Sequence, residues 1–359
     1  MHRPTVDKLY THAAIRLAAN GLYRVTRNNP RVGCLLVKNG TVIGRGAHLH
    51  DGGAHAEVQA LATASEDPSG ATAYVSLEPC CIEGRTPPCT AALISAGIHR
   101  VVVGELDPNP EVNGSGVREL QEASISVTVL GLVEARSLNP GFHKRMTHAR
   151  PYVRVKSGMS LDGRVAMESG ESQWITSSDA RQDVQRLRAR SGAIVTGKNT
   201  ILSDNPKLTV RDTRYGSCSP MRVVLDTQGQ TPSDAELFKH PGEVVLVCNS
   251  TATTPPNSIK WEHDNAQADL DSVHERLAKV GVNEVLVEAG PTLTSSYLQT
   301  GLWDEFVFYV APKILGSRAR PVAQLQIDAL CNAINGKLHS IDTIGEDLRI
   351  VIINAESCV

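Results

Sequence analysis

His55, Cys80 and Cys89, three residues far apart in the chain, place the strongest constraint on how it folds. One imidazole and two thiols, with Glu57 two positions after the histidine, make up a catalytic zinc site. Three protein ligands hold such an ion and leave a position for water, whose pKa falls to roughly 7. If the three share one ion, the fold must bring two helix starts and a strand end to one edge of a sheet. A lone histidine or cysteine is more often packed than ligating, so the weight rests on the combination. A structural zinc would want a fourth ligand in a second close cysteine pair, and none is present. Cys81 remains an alternative to Cys80, or a fourth ligand. The other cysteines stand singly at 34, 218, 248, 331 and 358 and read as small buried hydrophobes of a reducing compartment.

The hydrophobic pattern supplies a sheet of that kind. Val6, Leu9, Tyr10, Ala13 and Leu17 recur at helical spacing after a candidate cap at Thr5. Residues 32–37 read as a buried strand, Lys38-Asn39-Gly40 as a hairpin turn, and 41–44 as the returning strand. A helix from about Ala54, a strand over 71–77, a helix over 90–96, a strand over 100–104, a helix over 116–123 and a strand over 125–129 follow. Strands alternating with helices predict a three-layer α/β/α sandwich. From Leu130 to Arg150 no strand is evident and the stretch reads as a linker. The alternation then restarts. Strands are expected at 152–156, 193–197, 222–226, 244–248, 284–288, 305–310 and 349–353, with helices over 179–190, 272–280 and 293–299. The length of 359 residues accommodates two such domains, 1–149 and 150–359.

Aromatics make up only 4% of the chain, so the cores must be built from Ala, Val, Leu and Ile. A net charge of -2 gives no electrostatic argument for a nucleic-acid surface or an anionic membrane, which favours a small-molecule substrate. No apolar signal core and no apolar run of membrane length are evident, and a cytoplasmic location is expected.

His-x-Glu with a later Pro-Cys-x-x-Cys is the zinc nucleobase-deaminase pattern. This chain departs from it, since eight residues separate Cys80 from Cys89. The chemistry expected is attack of zinc-bound hydroxide on an amidine-like ring carbon, with Glu57 carrying the proton to departing ammonia. In the second half, Glu288-Ala289-Gly290-Pro291-Thr292 reads as a strand end and helix start where free amides can hold a phosphate. The loop 203–211 pairs an acid with a base, and one of Arg181, Arg186, Arg188 and Arg190 can turn inward to clamp a phosphate. No Gly-x-Gly-x-x-Gly follows a strand in this half, so a Rossmann site is not supported.

The segments Asn29-Pro30-Arg31-Val32-Gly33, His55-Ala56-Glu57-Val58, Leu77-Glu78-Pro79-Cys80, Gly84-Arg85-Thr86-Pro87-Pro88-Cys89 and Asp107-Pro108-Asn109-Pro110 resemble the deaminase half of the RibD family of bacterial bifunctional riboflavin-biosynthesis proteins. Lys156, 160–164, 170–176, 208–211, 288–292 and Ala311-Pro312-Lys313 resemble its reductase half. The resemblance implies a cytidine-deaminase-like sandwich followed by a dihydrofolate-reductase-like α/β domain. It further implies one catalytic Zn2+, NADPH, and association of like chains as a dimer or tetramer. The activity implied is deamination of a diaminopyrimidinone ribosylamino phosphate, then reduction of its ribosyl group to ribityl. Carried over by position, Asn29 contacts substrate in the first half and the Gly84-Arg85-Thr86 loop handles its phosphate side. In the second half Ser172, Arg188, Leu208, Arg211 and Glu288 bind substrate. Gly158, Trp174, Thr200, Asp204, Thr227 and the run Gly290, Pro291, Thr292, Leu293, Thr294, Ser295, Ser296 bind NADPH. Lys156 or Asp204 is expected to assist the reduction. The family commonly has histidine where this chain has Ile82, which cannot hydrogen-bond, so substrate affinity or rate is expected to differ there while the metal set is kept.

Overall fold

The computed structural model describes residues 3–84, 87–216, 219–263 and 269–356. The chain divides into two compact units, Met1–Ala149 and Arg150–Val359.

The first unit is built on a five-stranded sheet of β1 (Gly33–Lys38), β2 (Thr41–Ala47), β3 (Thr72–Val75), β4 (Arg100–Val103) and β5 (Ser126–Val129), in the order β2-β1-β3-β4-β5. β1 runs antiparallel to both neighbours, and β3, β4 and β5 are parallel. Asn39 and Gly40 both take positive φ, 50° and 79°, as the two-residue hairpin turn requires. Alternation in β1 sorts the core into two layers. Cys34 and Leu36 face α2 (Ala56–Ala62), α3 (Cys89–Ser95) and α4 (Ser115–Glu122), whereas Leu35 and Val37 face α1 (Arg3–Ala18). This is the expected three-layer sandwich. The first helix begins at Arg3, which puts Thr5 inside it rather than at its cap.

The stretch read as a linker is not one. It folds into α5 (Val133–Leu138) and α6 (Pro140–His148), both within the first unit. Six- and nine-residue helices present too few periodic positions to stand out, and their order comes from contacts with distant residues.

The second unit carries a nine-stranded sheet. Its strands are β6 (Tyr152–Ser160), β8 (Ala193–Gly197), β9 (Met221–Leu225), β10 (Val244–Cys248), β11 (Ile259–Glu262), β12 (Glu284–Glu288), β13 (Glu305–Ala311), β15 (Gly336–Ile344) and β16 (Asp347–Asn354). They lie in the order β11-β10-β9-β8-β12-β6-β13-β16-β15, and a separate pair joins β7 (Arg164–Ala166) to β14 (Arg320–Pro321). From β11 to β13 all neighbours are parallel, and β16 and β15 close one edge antiparallel. Val285 and Val287 face α9 (Leu270–Lys279) and α10 (Pro291–Thr300). Leu286 faces α7 (Ser178–Arg190) and α8 (Lys198–Asp204). A parallel sheet covered on both faces explains the Val-rich strands. The strands β7, β11, β14 and β15 were not expected, nor was the helix α8, which absorbs Ser203 and Asp204 from the supposed loop.

Candidate active sites

In the first unit, His55 stands at the N-cap of α2 and Glu57 in its first turn, Cys80 follows β3, and Cys89 opens α3. Small residues permit this approach. A Cβ at Gly46 of β2 would lie 2.0 Å from the Ala56 carbonyl oxygen, so glycine lets the start of α2 rest directly on the strand. His55 Nδ1 lies 3.2 Å from Cys89 Sγ and 3.4 Å from Cys80 Sγ, and the three ligand atoms are all within 4.8 Å of one another. Tetrahedral zinc with ordinary bond lengths separates a nitrogen and a sulfur ligand by about 3.6 Å, so the triangle fits the ion. Cys81 is not part of the group.

The electrostatics agree. Two thiols in contact compete for one proton. The contact with Cys89 draws the Cys80 thiol well below the usual range, with help from His55, while the same contact pushes Cys89 up. A divalent cation is what allows both to be thiolates. Burial, then the negative charge of Cys80, pushes Glu57 up to about 7, and its side chain hydrogen-bonds Cys89.

Two residues that the sequence did not single out support this site. Buried His48 bonds the Ala54 carbonyl oxygen through Nδ1, which fixes the proton there. Its Nε2, 3.0 Å from Asn29 Nδ2, therefore accepts from the Asn29 amide. Buried Glu78 accepts from the backbone N–H of Asp107 (3.2 Å), Gly114 (2.9 Å) and Val117 (3.0 Å), tying the segment before Cys80 to the start of α4. In sequence Glu78 stood out only as a charged residue of the segment Leu77-Glu78-Pro79-Cys80, with no role attached. Of the loop Gly84-Arg85-Thr86, Arg85 and Thr86 lie outside the described residues.

In the second unit, parallel strands share one carboxyl edge, and most of the expected residues follow it. Gly158 is on β6, Thr200 and Asp204 lie on the helix after β8, Thr227 follows β9, and Glu288 ends β12 with Gly290 at the N-cap of α10. A Cβ at Gly290 would meet nothing within 4 Å, leaving room for a pyrophosphate against the first turn of the helix, as NADPH requires. Farther along the run the fit ends. Thr294 and Ser295 are buried, and Ser295 Oγ already bonds Pro291 O and Gln324 N. Ser172 and Trp174 lie on the segment before α7. The Trp174 ring is exposed beneath Arg181, whose guanidinium carbon sits 4.3 Å from its centroid.

The inward arginine of α7 is Arg188. Its Nε and Nη2 donate to the two Glu288 carboxylate oxygens at 2.6 and 3.0 Å, and Nη1 donates to Thr209 O at 3.0 Å. That last bond holds the loop where Leu208 is buried with φ 51°. Burial pushes Glu288 up, but Arg188, Lys156 and Arg211 outweigh it and hold the carboxyl below its ordinary value. Lys156 Nζ lies 3.9 Å from Glu288, and burial lowers its pKa. Burial raises Asp204, which Lys156 partly offsets. Arg188 is thus neutralised within the protein, whereas Arg211 is exposed.

Comparison with known proteins agrees with both halves. Residues 4–105 match the cytidine and deoxycytidylate deaminase zinc-binding region, and residues 151–350 match the RibD C-terminal domain. The Escherichia coli riboflavin biosynthesis protein RibD is 44% identical across 97% of this chain and 100% of its own. The Acinetobacter baumannii RibD structure superposes with a TM-score of 0.90 at 42% identity, covering 98% of this chain and 99% of that one. A Thermotoga maritima diaminohydroxyphosphoribosylaminopyrimidine deaminase and 5-amino-6-(5-phosphoribosylamino)uracil reductase does so at 0.90 and 32% identity, covering 99% of this chain and all of its own. The fold is a cytidine-deaminase-like sandwich followed by a dihydrofolate-reductase-like domain, and the cofactors are Zn2+ and NADPH. The enzyme is both hydrolase and oxidoreductase, and this chain belongs to the RibD family of bifunctional riboflavin-biosynthesis deaminase–reductases.

Proposed function

We propose that residues 1–149 deaminate the diaminopyrimidinone ribosylamino phosphate and that residues 150–359 reduce its ribosyl group to ribityl. The observation that carries the first half is the His55, Cys80 and Cys89 triangle with a buried carboxyl beside it. His55, Cys80 and Cys89 hold the zinc, which when bound supplies Lewis acidity towards water. Glu57 is not a ligand. Its buried carboxyl, beside the ligands, accepts a proton and returns it to the departing amino nitrogen. Asn29, its amide nitrogen committed to His48, orients the pyrimidine.

In the second half Ser172, Arg188, Leu208, Arg211 and Glu288 bind the deaminated intermediate, with Arg211 on its phosphate. Gly158, Trp174, Thr200, Asp204, Thr227 and the start of the run, Gly290–Leu293, bind NADPH, which supplies the reducing equivalents. Lys156 is better placed than Asp204 to protonate the ring-opened sugar: it stands beside Glu288, and burial makes its ammonium a readier donor. The reading extends to a homo-oligomer, dimer or tetramer, on the family resemblance, and to a cytoplasmic location, on the sequence pattern. Among the described residues no helix is long and apolar enough to cross a membrane.

Products identified by mass after supplying the diaminopyrimidinone substrate with and without NADPH test the scheme. Deaminated product alone is expected without NADPH and the ribityl product with it. Arg211→Ala is expected to stop at the deaminated product; equal loss of both steps would argue against two separate sites.

A further inference from the structure

The helices α5 and α6 end the first unit and lie beyond the matched zinc-binding region, yet their polar residues converge on the loop that carries Asn29. Buried Asn139, at the N-cap of α6, accepts from Arg31 N through Oδ1 at 2.8 Å. It also donates from Nδ2 to Arg31 O at 2.8 Å. One side chain thereby satisfies both backbone groups of Arg31, as a paired strand would. Arg31 Nη1 returns a bond to Leu138 O at 3.0 Å. On the other side of Asn29, Arg145 of α6 donates to Asn28 O. Asn28 has φ 57°, in the left-handed region that asparagine enters more readily than other non-glycine residues. Asn29 is therefore gripped on both flanks by α6, while His48 fixes its amide.

From this geometry we infer that Asn139 and Arg145 are positioning residues of the deaminase: they set the loop from which Asn29 meets the pyrimidine. The segment between the zinc region and the reductase unit is thus part of the first active site. A mispositioned Asn29 weakens substrate binding without touching the metal ligands or Glu57, so the effect belongs in KM. The inference rests on Asn29 contacting substrate, as proposed above.

The test uses the full-length, zinc-loaded enzyme and measures deaminase KM and kcat, zinc content, and NADPH oxidation with the deaminated intermediate. Asn139→Leu and Arg145→Met remove the bonds at similar volume. Each is expected to raise deaminase KM about tenfold, the worth of one or two lost hydrogen bonds, with kcat within about twofold of wild type. Zinc content and reductase rate should stay unchanged. Arg145→Lys, which keeps a donor for Asn28 O, is expected to recover most of the loss. Asn29→Ala separates the two claims. If Asn29→Ala raises KM and the α6 variants do not, the positioning role is overturned and Asn29 stands. If Asn29→Ala changes nothing, the substrate role of Asn29 fails, and the inference with it. Loss of zinc in parallel with activity in the α6 variants would show general structural damage and would also overturn it.

Discussion

The pair Arg188–Glu288 offers a test in which stability and activity separate. Both residues are 9% exposed, and their side chains are joined by two bonds of 2.6 and 3.0 Å. Removing one partner leaves a buried charge without its bidentate counter-charge, which costs about 3–5 kcal/mol. In a unit of this size each kcal/mol lowers Tm by about 2–4 °C, so Arg188→Met or Glu288→Leu should lower unfolding of the second unit by roughly 6–20 °C. The double variant places two apolar side chains of similar volume in the same space and is expected to regain at least about half of that loss. Thr209 O, no longer bonded by Arg188, keeps the recovery incomplete. Reduction should not return, because the double variant restores packing but not the carboxylate beside Lys156. Differential scanning calorimetry and NADPH oxidation with the deaminated intermediate read the two effects. Single variants that melt like wild type would refute the burial argument, and a double variant that reduces substrate normally would show that the pair serves only the fold.

Other outcomes follow from the same geometry. Glu57→Gln should retain one zinc per chain yet lose about 10²–10⁴-fold in ammonia release; a near wild-type rate would remove Glu57 from its role. Stripping zinc with a chelator should abolish deamination and spare NADPH oxidation by the deaminated intermediate, whereas parallel loss would contradict the separate sites. Ile82 is 38% exposed, so Ile82→His should fold normally and raise deaminase kcat/KM; an unchanged value would show that the position does not reach substrate. His143 is buried, and burial, then the charge of Arg136, lowers its pKa to about 4. Between about 4 and 6.5 the unfolded chain binds the proton and the folded one does not, so stability falls as pH drops through that window, by at most about 3 kcal/mol. His143→Gln should flatten this part of the pH–Tm curve, and an unaltered slope would place the titrating group elsewhere.

What the sequence determined by itself is what short-range pattern encodes. The strands at 193–197, 244–248 and 284–288 lie where short, largely apolar runs put them, because a parallel strand covered on both faces is largely apolar. His55, Cys80 and Cys89 were legible because a metal site needs a particular set of donors, and Glu57 by its place two residues after the histidine. Tertiary structure decided what depends on partners far along the chain. The segment after Leu130 became two helices because Asn139 and Arg145 meet residues 28–31, a contact more than a hundred residues long that no local period records. The Arg-rich helix gave four candidates, and only the register of α7 over β12 turned Arg188 onto Glu288. The strand β15 escaped notice because it is an exposed edge, where burial does not impose alternation. Local propensity and donor chemistry are written in short motifs, but the pairing of buried charges and the grip on the loop of Asn29 exist only once the chain has closed on itself.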